Sequence, residues 1–282
     1  MMIVVTGATG NVGTPLVGAL AAAGADVTAV SRTVTPDSVP QGVRTRQADV
    51  TDPESLRPLL DGAEALFLHD TGMSAHLMRP ADILDVAKAG GVRRVVLLSS
   101  QGVATRPDSA SHGTVALGFD EAVRQSALEW TILRPGAFDS NAYAWAGSVR
   151  EARTVAAPFG DIGLPIVDPR DIAEVAAAAL LDDTHTGRVY TLTGPELSTP
   201  RQRAAALGAA LGEPIRFVEQ TRAQAREAML GFMPEPVVET TLDIIGAPTA
   251  DELRISPDIQ NVLGRPARTF AEWAQAHIAA FR

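Results

Sequence analysis

The sequence predicts an α/β fold: a doubly wound parallel sheet followed by a small, mostly helical C-terminal lobe. Three observations carry this. Apolar runs of strand length alternate with helix-period segments up to about residue 195. Several runs (IVV, ALFL, VVLL, TIL) are apolar on both faces, as strands covered by helices on each side must be. The first run leads at once into a glycine turn and an alanine-rich helical segment.

The elements follow in order. Strands are expected near 2–6, 26–31, 43–47, 64–69, 94–99, 130–134 and 187–192, with helices between them near 12–23, 53–60, 76–90, 115–127 and 169–182. Asp52-Pro53-Glu54 and Asp168-Pro169-Arg170-Asp171 each read as an N-cap followed by proline at the first helical position. Gly24 and the Gly90-Gly91 pair mark helix ends. Beyond residue 195 the rhythm weakens. "STPRQRAAALGAALGEP" reads as one helix, and "RAQAREAMLGFMPEPVVETTLDIIG" as two, broken at Pro234 and Pro236. "RTFAEWAQAHIAAF" reads as a last amphipathic helix. This pattern divides the chain into a nucleotide-binding domain over 1–195 and a smaller lobe over 196–282, with 136–165 contributing to a substrate pocket.

Composition narrows the function. A net charge of −9 with no basic patch speaks against a nucleic-acid binder. The chain has no cysteine, so disulfides, thiolate metal sites and a cysteine nucleophile are excluded. Its histidines lack metal-ligand spacing, and no metal is expected. No apolar run reaches the length of a membrane span, and the N-terminus reads as a strand, not as a signal peptide. A cytoplasmic protein acting on a small molecule, as a monomer or homodimer, is the expectation.

The glycines carry the first chemistry. Gly7, Gly10 and Gly13 stand at three-residue intervals between a strand and a helix. A bare turn lets the backbone approach a pyrophosphate, and the helix N-terminus that follows favours its charge. Thr9, Asn11 and Val12 lie within the same loop. A P-loop is excluded, because it needs Gly-Lys-Ser/Thr and the only lysine is Lys88. The second strand ends in Ser31-Arg32, where an NAD-preferring site would carry an acid. A guanidinium and a hydroxyl suit a 2′-phosphate, so NADPH (NADP) is the expected cofactor.

Gly7-Ala8-Thr9-Gly10-Asn11-Val12-Gly13 resembles the motif of the short-chain dehydrogenase/reductase superfamily. "RRVVLLSSQG", "ALEWTILRPGAFDSN", "IVDPRDIAEVAAAAL" and "GRVYTLTGP" resemble its NmrA-like, atypical branch, in that branch's order and spacing. The branch is similar to quinone reductases, to reductases of secondary metabolism and to regulators that bind the cofactor without turning it over. The resemblance implies a Rossmann-type fold. It implies that Asp49 and Val50 meet the adenine ring, that Leu68, His69 and Asp70 lie beside the nicotinamide ribose, and that Ser99 and Pro135 line the cofactor.

Typical members of the superfamily use Tyr-x-x-x-Lys. Here the tyrosines are Tyr143 and Tyr190, and Lys88 precedes both, so the pair is absent. Ser100, at the end of the fifth strand, is a candidate hydrogen-bond donor to a substrate carbonyl; the other reading is a hydroxyl that serves backbone or cofactor. If Asp120 or Glu121 takes the family's helix acid, the tyrosine slot falls at His112 or Gly113 and the lysine slot at Ala116 or Leu117. His112 then becomes a candidate proton donor, against the reading of a solvated loop histidine. Phe138, Tyr143, Trp145 and Phe232 are candidates to line an apolar substrate pocket, against core packing as the alternative. The expected function is an NADPH-dependent reductase passing hydride to a quinone or conjugated carbonyl of a small apolar or aromatic molecule. The alternative is a non-catalytic NADP(H)-binding sensor.

Overall fold

The computed structural model describes residues 1–69 and 76–282 of the chain. Its elements are β1 (Met2–Thr6), α1 (Gly13–Ala22), β2 (Asp26–Ser31), β3 (Arg44–Gln47), α2 (Pro53–Leu60), β4 (Ala65–His69), α3 (Pro80–Ala89), β5 (Arg94–Leu98), α4 (Gly102–Thr105), α5 (Thr114–Gln125), β6 (Glu129–Pro135), α6 (Ala146–Ala152), β7 (Thr154–Pro158), α7 (Pro169–Leu181), β8 (Arg188–Leu192), α8 (Pro200–Leu211), β9 (Arg216–Gln220), α9 (Arg222–Leu230), α10 (Glu235–Gly246), α11 (Asp258–Leu263) and α12 (Phe270–His277). Seven strands form one parallel sheet in the order β3-β2-β1-β4-β5-β6-β8. Their C-terminal ends therefore share one edge, and the strand order reverses between β1 and β4. That reversal opens the crevice in which doubly wound folds bind ligands.

Apolar strands require cover on both faces. Leu16, Val17 and Leu20 of α1 pack with Ile172, Val175 and Ala176 of α7 on one side. Leu56 and Leu60 of α2, Ile83 and Leu84 of α3, and Phe119 and Val123 of α5 pack on the other. Each such buried aliphatic side chain contributes roughly 1.5–3 kcal/mol. Asp52 and Asp168 cap α2 and α7 by accepting from Glu54 N–H and Arg170 N–H, and Pro53 and Pro169 open those helices.

The second lobe is not only helical. β7 and β9 pair in parallel, with Thr154 opposite Arg216, as a separate two-stranded sheet. A 3-10 turn over Asp139–Trp145 and helix α6 precede it. The lobe's apolar cluster joins Val149, Val155 and Ile166 to Leu207, Phe270, Trp273 and Phe281, so its core draws on segments before and after residue 195. A smaller cluster of Ala225, Val238 and Leu242 holds α9 against α10. Among the described residues no helix is long and apolar enough to cross a membrane.

The two borders of the main sheet differ. On β8, Thr191 N–H donates to Asp258 Oδ2 at 2.8 Å, and Ser256 N–H donates to Thr193 Oγ1 at 2.9 Å just beyond the strand. On β3, Arg44 donates to Thr28 Oγ1 and pairs with Asp26, and Arg46 is exposed.

Candidate functional site

The glycine loop is built for close approach. Gly7 has φ +62°, a conformation that costs glycine little and other residues more. A Cβ at Gly7 would overlap the His69 imidazole, and one at Gly13 would overlap Gly7 O. Gly10 N–H donates to Gly7 O at 2.9 Å, closing the turn. Thr9, Gly10 and Asn11 are exposed. Helix α1 has no capping side chain and no acid in its first turn, so its positive end faces the loop uncompensated. This is a cradle that fits a pyrophosphate. Asn11 Nδ2 donates to Ser140 Oγ at 3.1 Å, fastening the loop to the turn after β6. Thr6 Oγ1 donates to Phe67 O at 2.8 Å and locks β1 to β4 beneath the crevice.

At the end of β2, Ser31 Oγ accepts from Thr9 Oγ1 and from Thr33 N–H, both at 3.2 Å. Arg32 is exposed. Asp49 Oδ1 accepts from Thr51 N–H and Thr51 Oγ1, and these bonds, with the Arg32 charge as a smaller cause, hold its carboxyl below the usual carboxylate range. Val50 is buried beside it.

The other expected cofactor positions fall along the same edge. Leu68 is fully buried in the core, which leaves its backbone as the part that can face the crevice. His69 lies against Gly7. Asp70 lies outside the described residues. Pro135 ends β6, and its carbonyl accepts from Gln101 N–H at 2.9 Å. The Ser99 side chain turns the other way. Its hydroxyl donates to Asp120 Oδ1, while Arg134 Nε and Nη2 donate to Asp120 Oδ2 at 3.0 and 2.5 Å. Asp120 is 1% exposed and Glu121 is exposed, so Asp120 is the inward acid of α5. The sequence marks Asp120 as a candidate helix acid, whereas its partner Arg134 sits in "TILRP" with no signal beyond a strand position.

The backbone segments that carry the two candidate proton donors lie against each other. Ser100 Oγ accepts from Gly102 N–H at 3.0 Å. A Cβ at Gly102 would overlap the His112 backbone, so His112 is folded against the turn that follows Ser100. The four apolar candidates do not converge. Phe138 packs partly buried on the sheet core and bridges to Val167. Tyr143 meets Trp273 edge-on at 5.1 Å and stacks on Phe281 at 6.0 Å, at the exposed surface of the second lobe. Trp145 packs in the same lobe, with the Arg203 guanidinium 5.3 Å over its ring. Phe232 is 66% exposed on the turn between α9 and α10.

One buried acid escaped the sequence reading. Asp139 is fully buried, and neither carboxyl oxygen has a hydrogen-bond partner among the described residues. Burial, with the nearby Asp168 charge, pushes its carboxyl up to about 8. Asp168 itself is bound by Arg170. Nothing in "GAFDSN" distinguishes a buried acid from a turn residue.

Comparison with known proteins agrees with this geometry. A family described as NAD(P)H-binding matches residues 7–183. The (4-alkanoyl-5-oxo-2,5-dihydrofuran-3-yl)methyl phosphate reductase of Streptomyces griseus is 38% identical, with 99% of each chain covered. The NAD(P)H azoreductase of Xenophilus azovorans is 34% identical, also with 99% of each covered. The solved NADPH complex of the quinone oxidoreductase QOR2 from Escherichia coli superimposes with a TM-score of 0.79 at 26% identity, covering 98% of this chain and 99% of that one. The chain belongs to the NAD(P)H-binding family and is an oxidoreductase.

Proposed function

We propose that this oxidoreductase uses NADPH to reduce a quinone or a conjugated carbonyl of a small apolar or aromatic molecule, without a Tyr-Lys pair. The observation that carries the cofactor half is the Thr9–Ser31 hydroxyl pair beside an exposed Arg32, where a ribose-binding acid would stand. Arg32 and Ser31 would hold the 2′-phosphate, and the α1 terminus the pyrophosphate. Relatives named for quinone, azo and furanone-type acceptors support the acceptor half.

The missing pair narrows the chemistry. Lys88 is exposed in the last turn of α3, which leads to the start of β5, opposite the glycine loop. Tyr190 bonds His185 on the border strand, and Tyr143 packs against α12. When bound, the reduced nicotinamide supplies a hydride. The residues at the strand ends orient the acceptor, and Ser100 or His112, or solvent, supplies the balancing proton. Activated acceptors tolerate such weak acid assistance better than simple ketones do. In this division of labour, 1–195 binds cofactor, 196–282 shapes the acceptor site, and 136–165 serves both. The test is a panel of quinones and enones mixed with NADPH, followed by the loss of the reduced cofactor's near-ultraviolet absorbance. Turnover of at least one acceptor is expected. Tight NADPH binding with no turnover of any acceptor would overturn the reading.

A further inference from the structure

Both candidate proton donors sit on one block, residues 99–113, and that block is folded around Arg106. Arg106 N–H donates to Gly102 O at 2.8 Å. A Cβ at Gly113 would overlap Arg106 O, and one at Gly102 would overlap the His112 backbone. The turn after Ser100 and the turn before α5 therefore close on each other through Arg106.

The Arg106 side chain leaves this block and enters the second lobe. Its Nε and Nη2 donate to Glu252 Oε1 and Oε2 at 2.7 and 3.0 Å, and Nη2 also donates to Ala247 O at 2.7 Å. Glu252 is 5% exposed and accepts in addition from Thr249 N–H at 2.7 Å. Two further bonds cross in parallel. Gln101 Nε2 donates to Asp251 O at 3.2 Å, and Ser111 N–H donates to Thr240 Oγ1 at 3.2 Å. The junction is not packed solid. A groove of about 400 Å³ runs between Thr105–Ser109 and Thr240 and Asp243 of α10. Directional polar bonds, more than apolar contact, set the distance between the two sides here.

We propose that Arg106, latched to Glu252, is a positioning residue: it makes the second lobe hold Ser100 and His112 in place for the acceptor. The proposal rests on the reductase reading for its kinetic consequence alone. An ion pair between partly buried groups leaves an uncompensated charge when one partner is removed, so single variants confuse stability with function. The double variant Arg106→Leu/Glu252→Leu removes both charges and keeps side chains that fill the space.

The experiment compares wild type, Arg106→Lys, Glu252→Gln and the double variant for thermal stability, NADPH affinity, and acceptor kcat and KM. The double variant is expected to keep its melting temperature and NADPH affinity near wild type. Its kcat/KM for the acceptor is expected to fall by about tenfold to 100-fold, the size set by slight misplacement of reacting groups. Arg106→Lys, which keeps one bond to Glu252, is expected to fall between. A double variant with wild-type kcat/KM would overturn the proposal, since the pair would then serve folding alone. Should no acceptor be reduced by the wild type, amide exchange over 100–113 decides independently. Faster exchange in a double variant that still binds NADPH supports the latch; unchanged exchange overturns it.

Discussion

Arg32 is where a single side chain decides most. It is exposed, and its positive charge stands at the end of β2 beside Ser31 and Thr9. A charge-assisted contact to a 2′-phosphate is worth roughly 1.5–3 kcal/mol. Arg32→Ala should therefore weaken NADPH binding about tenfold or more and leave NADH nearly unchanged, as titration of the two cofactors would show. Equal losses would remove Arg32 from the phosphate. The proton donors are tested the same way. A true general acid is worth about 100-fold or more in turnover, so Ser100→Ala and His112→Ala, each at saturating NADPH, separate acid catalysis from orientation. An intermediate loss is expected for Ser100→Ala and less than about tenfold for His112→Ala, with solvent supplying the proton. The glycine loop was legible in the sequence because its geometry is local: a strand, a bare turn and a helix within a few residues. Glu252 was not, because it meets Arg106 across 146 positions and no local pattern marks either one. The aromatic candidates failed to gather for a related reason. Trp145 packs on the second lobe's own core while Tyr143 lies exposed over its aromatic rings, and a one-dimensional reading cannot tell lining from filling.

Among elements, the inner strands of the main sheet were legible because buried parallel strands are apolar on both faces, and polar β3 was legible only by its place in the strand–helix alternation. β7 and β9 were not. "TVAAP" is short and proline-ended, "RFVEQ" is half polar, and each becomes a strand only through a partner about 60 residues away. β5, β6 and α5 are joined by a contact of a different kind. Asp120 takes bonds from Ser99 and from Arg134, and it is nearly sealed from water. Arg134→Met would leave that carboxylate buried with only the serine hydroxyl. The expected loss is about 3–5 kcal/mol of stability, read by chemical denaturation. Arg134→Met combined with Asp120→Asn should recover much of it. A single variant as stable as wild type would show that Asp120 carries no buried charge.

For the molecule as a whole, Asp139 ties stability to pH. Its carboxyl titrates near 8 in the folded protein and near 3.8 in an unfolded chain. Between those values the folded state holds a proton that the unfolded state has released. Stability therefore falls as pH rises through that window, by at most about 1.4 kcal/mol per unit from this group, and levels off above it. Asp139→Asn keeps the neutral shape and removes the titration. It should be as stable as wild type or more so at pH 7–8, and its stability should decline less from pH 5 to 8. Parallel curves for the two proteins, measured by denaturation across that range, would show that Asp139 is not the source.

The borders of the main sheet carry a last consequence, for self-assembly. A strand at a border offers a row of unpaired amides to any passing chain. On β8 the Thr191 amide is already spent on Asp258, and the segment from Ser256 lies alongside the strand's end. On β3 the residues are Arg-Thr-Arg-Gln, and a copy arriving there in the same register would bring arginine against arginine. Two copies of this protein cannot cheaply extend one sheet into the other. At these two borders the main sheet is therefore a poor template for the strand-to-strand pairing that begins a fibril.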